Sequence, residues 1–195
     1  MEVIKQHNTS SPLYLQLAFQ APHMNLAEPP AAYRHTGPVY QGGLEEDRQA
    51  AWRAGAVAAL DAGVGRVVAA LREAGLYQNS VIVFSTDNGG VVRNLSNYPL
   101  RGVKEELYEG GVRGVGLVHS PLLRSPGTVH TGLIYITDWF ATLLGLAGLR
   151  SALPPGTDSL DMWPSLSLGK KSPRKEIILN IDRDAFWNTW SAAIM

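Results

Sequence analysis

Short apolar runs recur along this chain, and each predicts a strand. The first begins at Leu13 and ends before a proline, which cannot continue a central ladder. The others are uniformly apolar or nearly so, which is typical of strands covered on both faces of a sheet. The four runs are residues 13–19, 81–85, 114–118 and 177–181.

Two helical patterns separate these runs. From residue 44 to residue 74, apolar side chains recur at three- and four-residue steps, which predicts a long helix ending near Gly75. Glycines interrupt it at Gly55, Gly63 and Gly65, each weakening a helix by about 1 kcal/mol relative to alanine, so we expect close packing or a break there. A second helix is predicted over residues 139–147, after Thr137 and before a glycine. Strands alternating with helices indicate an α/β fold with a mostly parallel sheet.

Composition limits the classes of function. A chain of 195 residues with 45% apolar and 17% charged residues can bury one sizeable core. Lys+Arg and Asp+Glu are balanced at 17 each, which predicts neither a nucleic-acid nor a membrane surface. The chain has no cysteine, so disulfides are excluded.

The N-terminus lacks the pattern of a signal peptide, and the apolar runs are shorter than the ~20 residues of a membrane span.

The turn after the second apolar run carries candidate metal ligands. Asp87 and Asn88 follow the predicted strand directly, at the end where ligands gather in open α/β sheets. A carboxylate and an amide oxygen are hard ligands suited to Ca²⁺, and Gly89-Gly90 allows a sharp turn. The alternative is a plain turn, because Asp, Asn and Gly favour turns for local reasons. Two ligands also cannot complete a shell of about six to eight oxygens.

Two further residues are candidates for catalysis and substrate binding. Lys104 follows that turn, and its ammonium group could hold an oxyanion beside a cation; the alternative is a solvated surface lysine. His23 ends the first predicted strand and could act as a general acid; the alternative is a capping or core histidine.

Glu109 and Arg113 are predicted to form a structural pair. Asn8 and Asn94 each begin a glycosylation sequon, a weak signal by itself.

Three segments together resemble one family. Residues 84–90, 97–104 and 109–114 stand in an order and spacing similar to the calcium- and sulfate-binding region of the sulfatases, specifically their arylsulfatase B-like branch. The likeness extends from Leu13 through nearly the whole chain. It implies an alkaline-phosphatase-like α/β fold whose mixed, mostly parallel sheet is flanked by helices and is incomplete at both ends. Residues 13–195 would be part of the catalytic domain, after an irregular tail at 1–12.

The resemblance also implies a chemistry. Sulfatases hydrolyse sulfate esters with a formylglycine made from cysteine, beside one Ca²⁺. Asp87 and Asn88 match two calcium ligands, Lys104 matches the lysine on the sulfate, and His23 matches the histidine near the leaving-group oxygen. No residue of this chain matches the nucleophile, which in a complete enzyme precedes the segment equivalent to Leu13.

The expected function is therefore hydrolysis of sulfate esters, of sulfated glycans in particular, by a longer form of the protein. The isolated chain is expected to be inactive. Two alternatives remain open at this point: a truncated, non-catalytic sulfatase-like binding protein, and a phosphoesterase of the same superfamily, against which Asn88 argues. By resemblance the protein would be lysosomal or extracellular.

Overall fold

The chain divides into two compact units, Met1–Asn79 and Ser80–Met195. The computed structural model describes residues 1–23, 29–34, 45–91, 97–181 and 193–195, with backbone only for residues 45–50. Sequence analysis predicted a single partial domain over residues 13–195, so the division at residue 79 is a finding of the structure.

The first unit is built on one long helix. Helix α2 runs without a break over Glu45–Glu73, as the apolar periodicity predicts. A short helix, α1, spans Glu2–Lys5 and packs against it, with Ile4 only 2% exposed. The expectation of an irregular tail over residues 1–12 was therefore wrong for α1, because burying Ile4 and pairing Lys5 with Glu73 at 3.6 Å both favour order there.

Two of the three glycines of α2 are explained by close packing. A Cβ on Gly55 would lie 2.5 Å from the carbonyl oxygen of Tyr33, and one on Gly63 would lie 3.0 Å from the ring of Phe19. A Cβ on Gly65 would meet open space, so nothing in the structure explains that glycine.

The first predicted strand is not formed. Residues 12–20 are assigned to no helix or strand. Tyr14 is 71% exposed, so the apolar run is not a buried element here. The physical reason is that a strand needs a hydrogen-bonded neighbour, and no strand within the described ranges pairs with this segment.

The second unit contains the described strands. β1, Ile82–Ser85, pairs antiparallel with β2, Gly116–His119, while β3, Ile178–Asn180, pairs antiparallel with β4, Ala193–Ile194. The predicted mostly parallel sheet is not found among these pairs. The amide N–H of Thr86 donates to Val115 O at 3.0 Å, so the chain returns to the end of β1 and β2 must run back along it.

Three short helices also lie in the second unit. α3 spans Glu109–Val112, α4 spans Asp138–Leu146 and α5 spans Trp163–Leu168. The helix predicted over residues 139–147 is confirmed within one residue, and the following Gly148 adopts a left-handed φ of 72°. Single 3₁₀ turns lie at Ala31–Tyr33 and Tyr77–Asn79 in the first unit and at Arg150–Ala152 in the second.

Part of α2 also has the length and the apolar composition of a membrane-spanning helix. Among the described residues, Ala51–Glu73 is one helical segment long and apolar enough to cross a membrane. The core helices of globular proteins can have the same length and composition, so a single segment of this kind is weak evidence for a membrane span.

Candidate functional site

The Asp-Asn turn lies where the sequence predicts it. β1 ends at Ser85, and Asp87 follows two residues later, at the carboxyl end of the strand. The amide N–H of Gly89 donates to Gly111 O at 2.8 Å, and a Cβ on Gly89 would collide with the carbonyl of Gly110. Only glycine at position 89 lets these two backbones approach so closely, and this contact fixes the turn.

The turn leaves oxygens of both candidate ligands available. The Asp87 carboxylate accepts the N–H of Asn88 through Oδ1 at 2.9 Å, which leaves Oδ2 without a hydrogen bond to any described residue. The amide Nδ2 of Asn88 donates to Gly89 O at 2.8 Å, so its Oδ1 is also free of a donor in the described part of the chain. Asp87 is exposed and Asn88 is half-buried.

Lys104 is tied to the same turn through the backbone. Its N–H donates to Gly90 O at 3.0 Å. The side chain of Asn97 makes two hydrogen bonds to Gly90: its Oδ1 accepts from the Gly90 N–H at 2.8 Å, and its Nδ2 donates to the Gly90 carbonyl at 2.9 Å. The same Nδ2 also donates to Gly102 O at 3.0 Å. The half-buried Lys104 has no carboxylate partner among the residues the structure describes, so its charge is uncompensated beside the turn.

The Gly-rich segment after Lys104 supports this arrangement. Gly110 N–H donates to Arg101 O at 2.7 Å, which closes the loop around the lysine. Arg113 and Glu109 form the predicted pair, with Nη1 and Oε2 3.4 Å apart at the two ends of α3. Sequence analysis missed a second support: the Arg101 guanidinium lies 3.9 Å from the centre of the Tyr108 ring.

His23 lies in a different unit from Lys104 and the Asp-Asn turn. It belongs to the first unit, is exposed, and follows a segment that is not a strand, so its predicted position at a strand end was wrong. Its N–H donates to Gln20 O at 2.9 Å in a turn. The expectation that His23 and Lys104 act on the same sulfate ester stays a prediction.

The donor set at the turn fits a hard cation only in part. Asp87 and Asn88 offer oxygens of the type that Ca²⁺ prefers. No cluster of three or more His, Cys, Asp or Glu suited to a metal occurs in the described ranges. A complete calcium shell at this turn therefore needs oxygens from beyond the described residues or from water.

The structure also contains a buried ion pair that sequence analysis did not find. Arg174 Nη2 and Nε donate to the two carboxylate oxygens of Asp138 at 2.7 and 2.8 Å. The side chains are 6% and 0% exposed, and Asp158 adds a third contact at 2.9 Å. The hydrogen bonds that Arg174 donates to Asp138 raise the pKa of Arg174 above its usual range, against the opposing effect of burial.

Asp138 also receives backbone donors. The N–H groups of Tyr135 and Leu160 donate to its two oxygens at 2.8 and 2.9 Å. The sequence predicted only a helix cap at Thr137-Asp138, and the Thr137 side chain makes no capping hydrogen bond. The pair spans 36 residues, so no periodic signal connects its partners.

Only one of the two sequons can be placed. Asn8 is exposed, and its Oδ1 accepts from the Ser10 hydroxyl at 2.8 Å and from the Ser10 N–H at 3.1 Å. Asn94 lies outside the described residues.

Comparison with known proteins decides the family. The model of the family described as Sulfatase matches residues 1–149. The chain belongs to the sulfatase family. Mouse arylsulfatase J is 40% identical over 93% of the chain, and mouse steryl-sulfatase is 33% identical over 83% of it. The chain spans 29% and 25% of these two relatives, so it corresponds to less than a third of their length.

Solved sulfatase structures agree with this assignment. The crystal structure of the PsFucS1 sulfatase from Pseudoalteromonas sp. is 34% identical, with a TM-score of 0.60 over 66% of this chain and 27% of that one. That of Ps i-CgsB is 29% identical, with a TM-score of 0.70 over 84% of this chain and 36% of that one. Another structure of Ps i-CgsB is a complex with k-i-k-neocarrahexaose. These neighbours indicate that the chain is part of a sulfatase-type α/β fold.

Proposed function

We propose that this chain supplies part of the sulfate-ester site of an arylsulfatase, with sulfated glycans as the substrate class. One observation carries the proposal: the backbone of Lys104 is hydrogen-bonded to a turn that presents two side-chain oxygens. Neither the lysine nor these oxygens has a partner of opposite charge or a hydrogen-bond donor among the described residues. This arrangement suits an oxyanion held between a cation and an ammonium group. The arylsulfatase B-like assignment is the finer part of the proposal.

Each residue has a distinct proposed role. Asp87 and Asn88 would hold one Ca²⁺, which when bound supplies positive charge to the sulfate oxygens. Lys104 would donate to a sulfate oxygen and stabilise negative charge as the S–O bond breaks. The carbonyl of Gly90 positions the lysine backbone, and Asn97 in turn positions Gly90. His23 would protonate the leaving oxygen.

The glycan part of the proposal rests on the relatives. Mouse N-acetylgalactosamine-6-sulfatase is 30% identical over 87% of the chain, and the Ps i-CgsB complex holds an oligosaccharide. Steryl-sulfatase, in contrast, is named for a steroid ester. We therefore place glycan sulfates first and steryl sulfates second, to be separated by assay.

A chimaera tests the function. Residues 13–181 would replace the matching segment of mouse arylsulfatase J, and hydrolysis of 4-nitrophenyl sulfate would be measured. We expect the chimaera to be active, and Lys104→Ala to lower kcat/KM by about 10²- to 10³-fold, the usual loss on removing one transition-state donor. Asp87→Ala should also lower it, with partial recovery at high calcium.

A matched control variant shows whether a loss of activity is specific to the substituted site residue. Arg66→Ala, on an exposed position of α2, should leave kcat/KM unchanged. A folded chimaera without activity, or one in which Lys104→Ala is as active as the parent, would contradict the proposal. Comparing a sulfated galactosamine with a steryl sulfate then decides the substrate class.

A second candidate function is binding without turnover. The observation in its favour is the absence of cysteine from all 195 residues, so the isolated chain cannot form the formylglycine nucleophile. In this case the chain would bind a sulfate ester or a cation weakly at the same turn. A phosphoesterase is less well supported, because the aspartate of the turn is followed by Asn88.

The compartment follows from the same family assignment. We infer a lysosomal or extracellular protein, glycosylated at Asn8 and Asn94. Exposure of Asn8 and the hydroxyl contact from Ser10 support an accessible acceptor at the first site. Expression in secretory cells followed by glycosidase treatment is the test: a mobility shift lost in Asn8→Gln and Asn94→Gln is expected, and an unshifted parent would contradict it.

A further inference from the structure

A polar cavity lies in the same unit as the candidate site but shares no residue with it. It has a volume of about 410 Å³, within the range of pockets that bind small ligands. We call it the lysine pocket; its walls are residues 128–133, residues 169–172, Ser165, Arg174 and Lys175.

One wall is set by the end of α5. Gly169 adopts a left-handed φ of 67°, its N–H donates to Ser165 O at 3.1 Å, and the next N–H, of Lys170, reaches Pro164 O at 3.4 Å. This αL helix ending turns the chain sharply. Lys170 and Lys171 follow immediately, and the Ser165 hydroxyl holds Lys171 O at 3.1 Å. The two lysines are therefore placed on the rim by a fixed backbone.

The opposite wall is fastened to the first. Ser172 Oγ donates to Leu133 O at 2.6 Å, which joins the two segments directly. Lys175 Nζ donates to Ser172 O at 3.1 Å, which keeps the ammonium group on the pocket side of its own segment. A Cβ on Gly132 would lie 2.8 Å from Ser172 Cβ, so the walls meet as closely as glycine allows.

The pocket is cationic. It is lined by Lys170, Lys171 and Lys175, none of which has a carboxylate partner in the described part of the chain. Arg174 also lines it, but Asp138 and Asp158 neutralise that guanidinium. No aspartate or glutamate is among the lining residues that the structure describes.

Uncharged hydrogen-bonding groups complete the lining. Thr128 and Thr131 contribute hydroxyls. The ring nitrogen Nδ1 of His130 is buried and has no hydrogen-bond partner among the described residues, which is costly unless a ligand or water supplies one. Clustered ammonium groups beside hydroxyls suit an oxyanion rather than a cation or an apolar ligand.

We propose that the lysine pocket is a second anion-binding site that takes the sulfate group of a sulfated sugar. Its volume leaves space for a sugar ring beside the oxyanion, so a sulfate ester suits it better than a free sulfate ion. The site is distinct from the turn at Asp87 and shares no lining residue with it. The choice of a sulfated sugar as the ligand rests on the proposed function, whereas the expectation that the pocket binds an oxyanion rests on its lysines. On a polyanionic substrate it would hold a sulfate other than the one attacked.

The test is an amide-shift titration of the whole chain by NMR. Galactose 6-sulfate, galactose and sodium sulfate would be added in turn, with sodium chloride keeping the ionic strength constant. We expect amides of residues 128–133 and 169–175 to shift with galactose 6-sulfate and not with galactose. Weaker shifts with sodium sulfate would support the sugar ester as the ligand, whereas equal affinity for sodium sulfate would overturn that choice.

Variants assign the binding to the lysines. Lys171→Gln should raise the Kd for galactose 6-sulfate about two- to fivefold, and Lys170→Gln with Lys171→Gln by about tenfold, as expected for partly exposed ion pairs. Lys5→Gln removes one charge outside the pocket and should change nothing. Lys104→Ala should leave the pocket shifts intact, which separates this site from the candidate sulfate-ester site. Unshifted pocket amides, or lysine variants that bind as the parent does, would overturn the proposal.

Discussion

At the scale of single residues, burial decides which charges matter. Asp138 and Arg174 form two hydrogen bonds in a site from which solvent is almost excluded. Glu109 and Arg113 form an equally recognisable pair, but their side chains are 48% and 63% exposed. Exposed pairs contribute about 0–1 kcal/mol, whereas breaking a buried pair costs about 3–5 kcal/mol because one charge is left uncompensated.

Arg174→Met should therefore destabilise the chain by about 3–5 kcal/mol, measured as the free energy of unfolding in urea. Adding Asp138→Asn to it should recover part of the loss, since the stranded charge is removed. Arg113→Met is the control and should cost less than about 1 kcal/mol. If the double variant were less stable than Arg174→Met alone, the stranded charge would not be the cause.

The pH dependence of this pair follows from the sign of the shift. The pKa of Arg174 is higher in the folded chain than in the unfolded chain, so its contribution to stability is complete below the pKa that the guanidinium has in the unfolded chain. It is lost only as pH rises beyond that value. Titration of Arg174 itself should therefore leave the free energy of unfolding constant across the neutral range.

The Asp-Asn turn gives a second residue-level prediction. With only Asp87 and Asn88 as ligands, the chain should bind Ca²⁺ with a Kd weaker than about 0.1 mM. Asp87→Ala should abolish that binding in calorimetry, because Asn88 provides only a neutral oxygen. Asp61→Ala, an exposed carboxylate on α2, should leave it unchanged. A submicromolar Kd, or calcium binding that survives Asp87→Ala, would place the site elsewhere.

At the scale of elements, α2 shows how one residue type serves different purposes. Gly55 lies against the carbonyl of Tyr33, while Gly65 faces open space on the same helix. Both cost helix propensity, but only the first permits a close approach. The effect of adding a methyl group should therefore have opposite signs at the two positions.

Gly65→Ala should raise the free energy of unfolding by about 0.5–1 kcal/mol through helix propensity and reduced freedom of the unfolded chain. Gly55→Ala should lower it by about 1–3 kcal/mol, because the new Cβ overlaps backbone that cannot rotate away. Thermal unfolding of the two variants beside the parent measures both. Stabilisation by Gly55→Ala would show that the contact with Tyr33 relaxes at little cost.

At the scale of the whole molecule, a family fold is represented by two units and less than a third of a relative's length. The proposed site residues are divided between these units: Lys104 and the Asp-Asn turn are in one unit, and His23 is in the other. An intact calcium shell and a nucleophile are not found together among the described residues. Activity should therefore depend on groups that this chain does not provide.

The isolated chain should hydrolyse 4-nitrophenyl sulfate no faster than buffer does. Losing an activated nucleophile typically lowers kcat by several orders of magnitude. The comparison protein is mouse arylsulfatase J, assayed at the same concentration with saturating Ca²⁺. Turnover by the purified 195-residue chain near the rate of that relative would refute this expectation.

The sequence by itself determined the local features. It predicted α2 from its apolar period, the strand β1, the helix after Thr137, the Glu109–Arg113 pair and the turn at Asp87. It also identified the family, which the match over residues 1–149 bears out. Each of these depends on residues close together in the chain, where spacing and capping control the conformation.

Only the tertiary structure decided the rest. The antiparallel pairing of β1 with β2 depends on where a 30-residue connection returns, and residues 13–19 remain unpaired because no described strand lies beside them. The Asp138–Arg174 pair and the lysine pocket join segments dozens of residues apart. Such contacts are chosen by burial and by satisfying buried polar groups, and these energies exist only once the chain has folded.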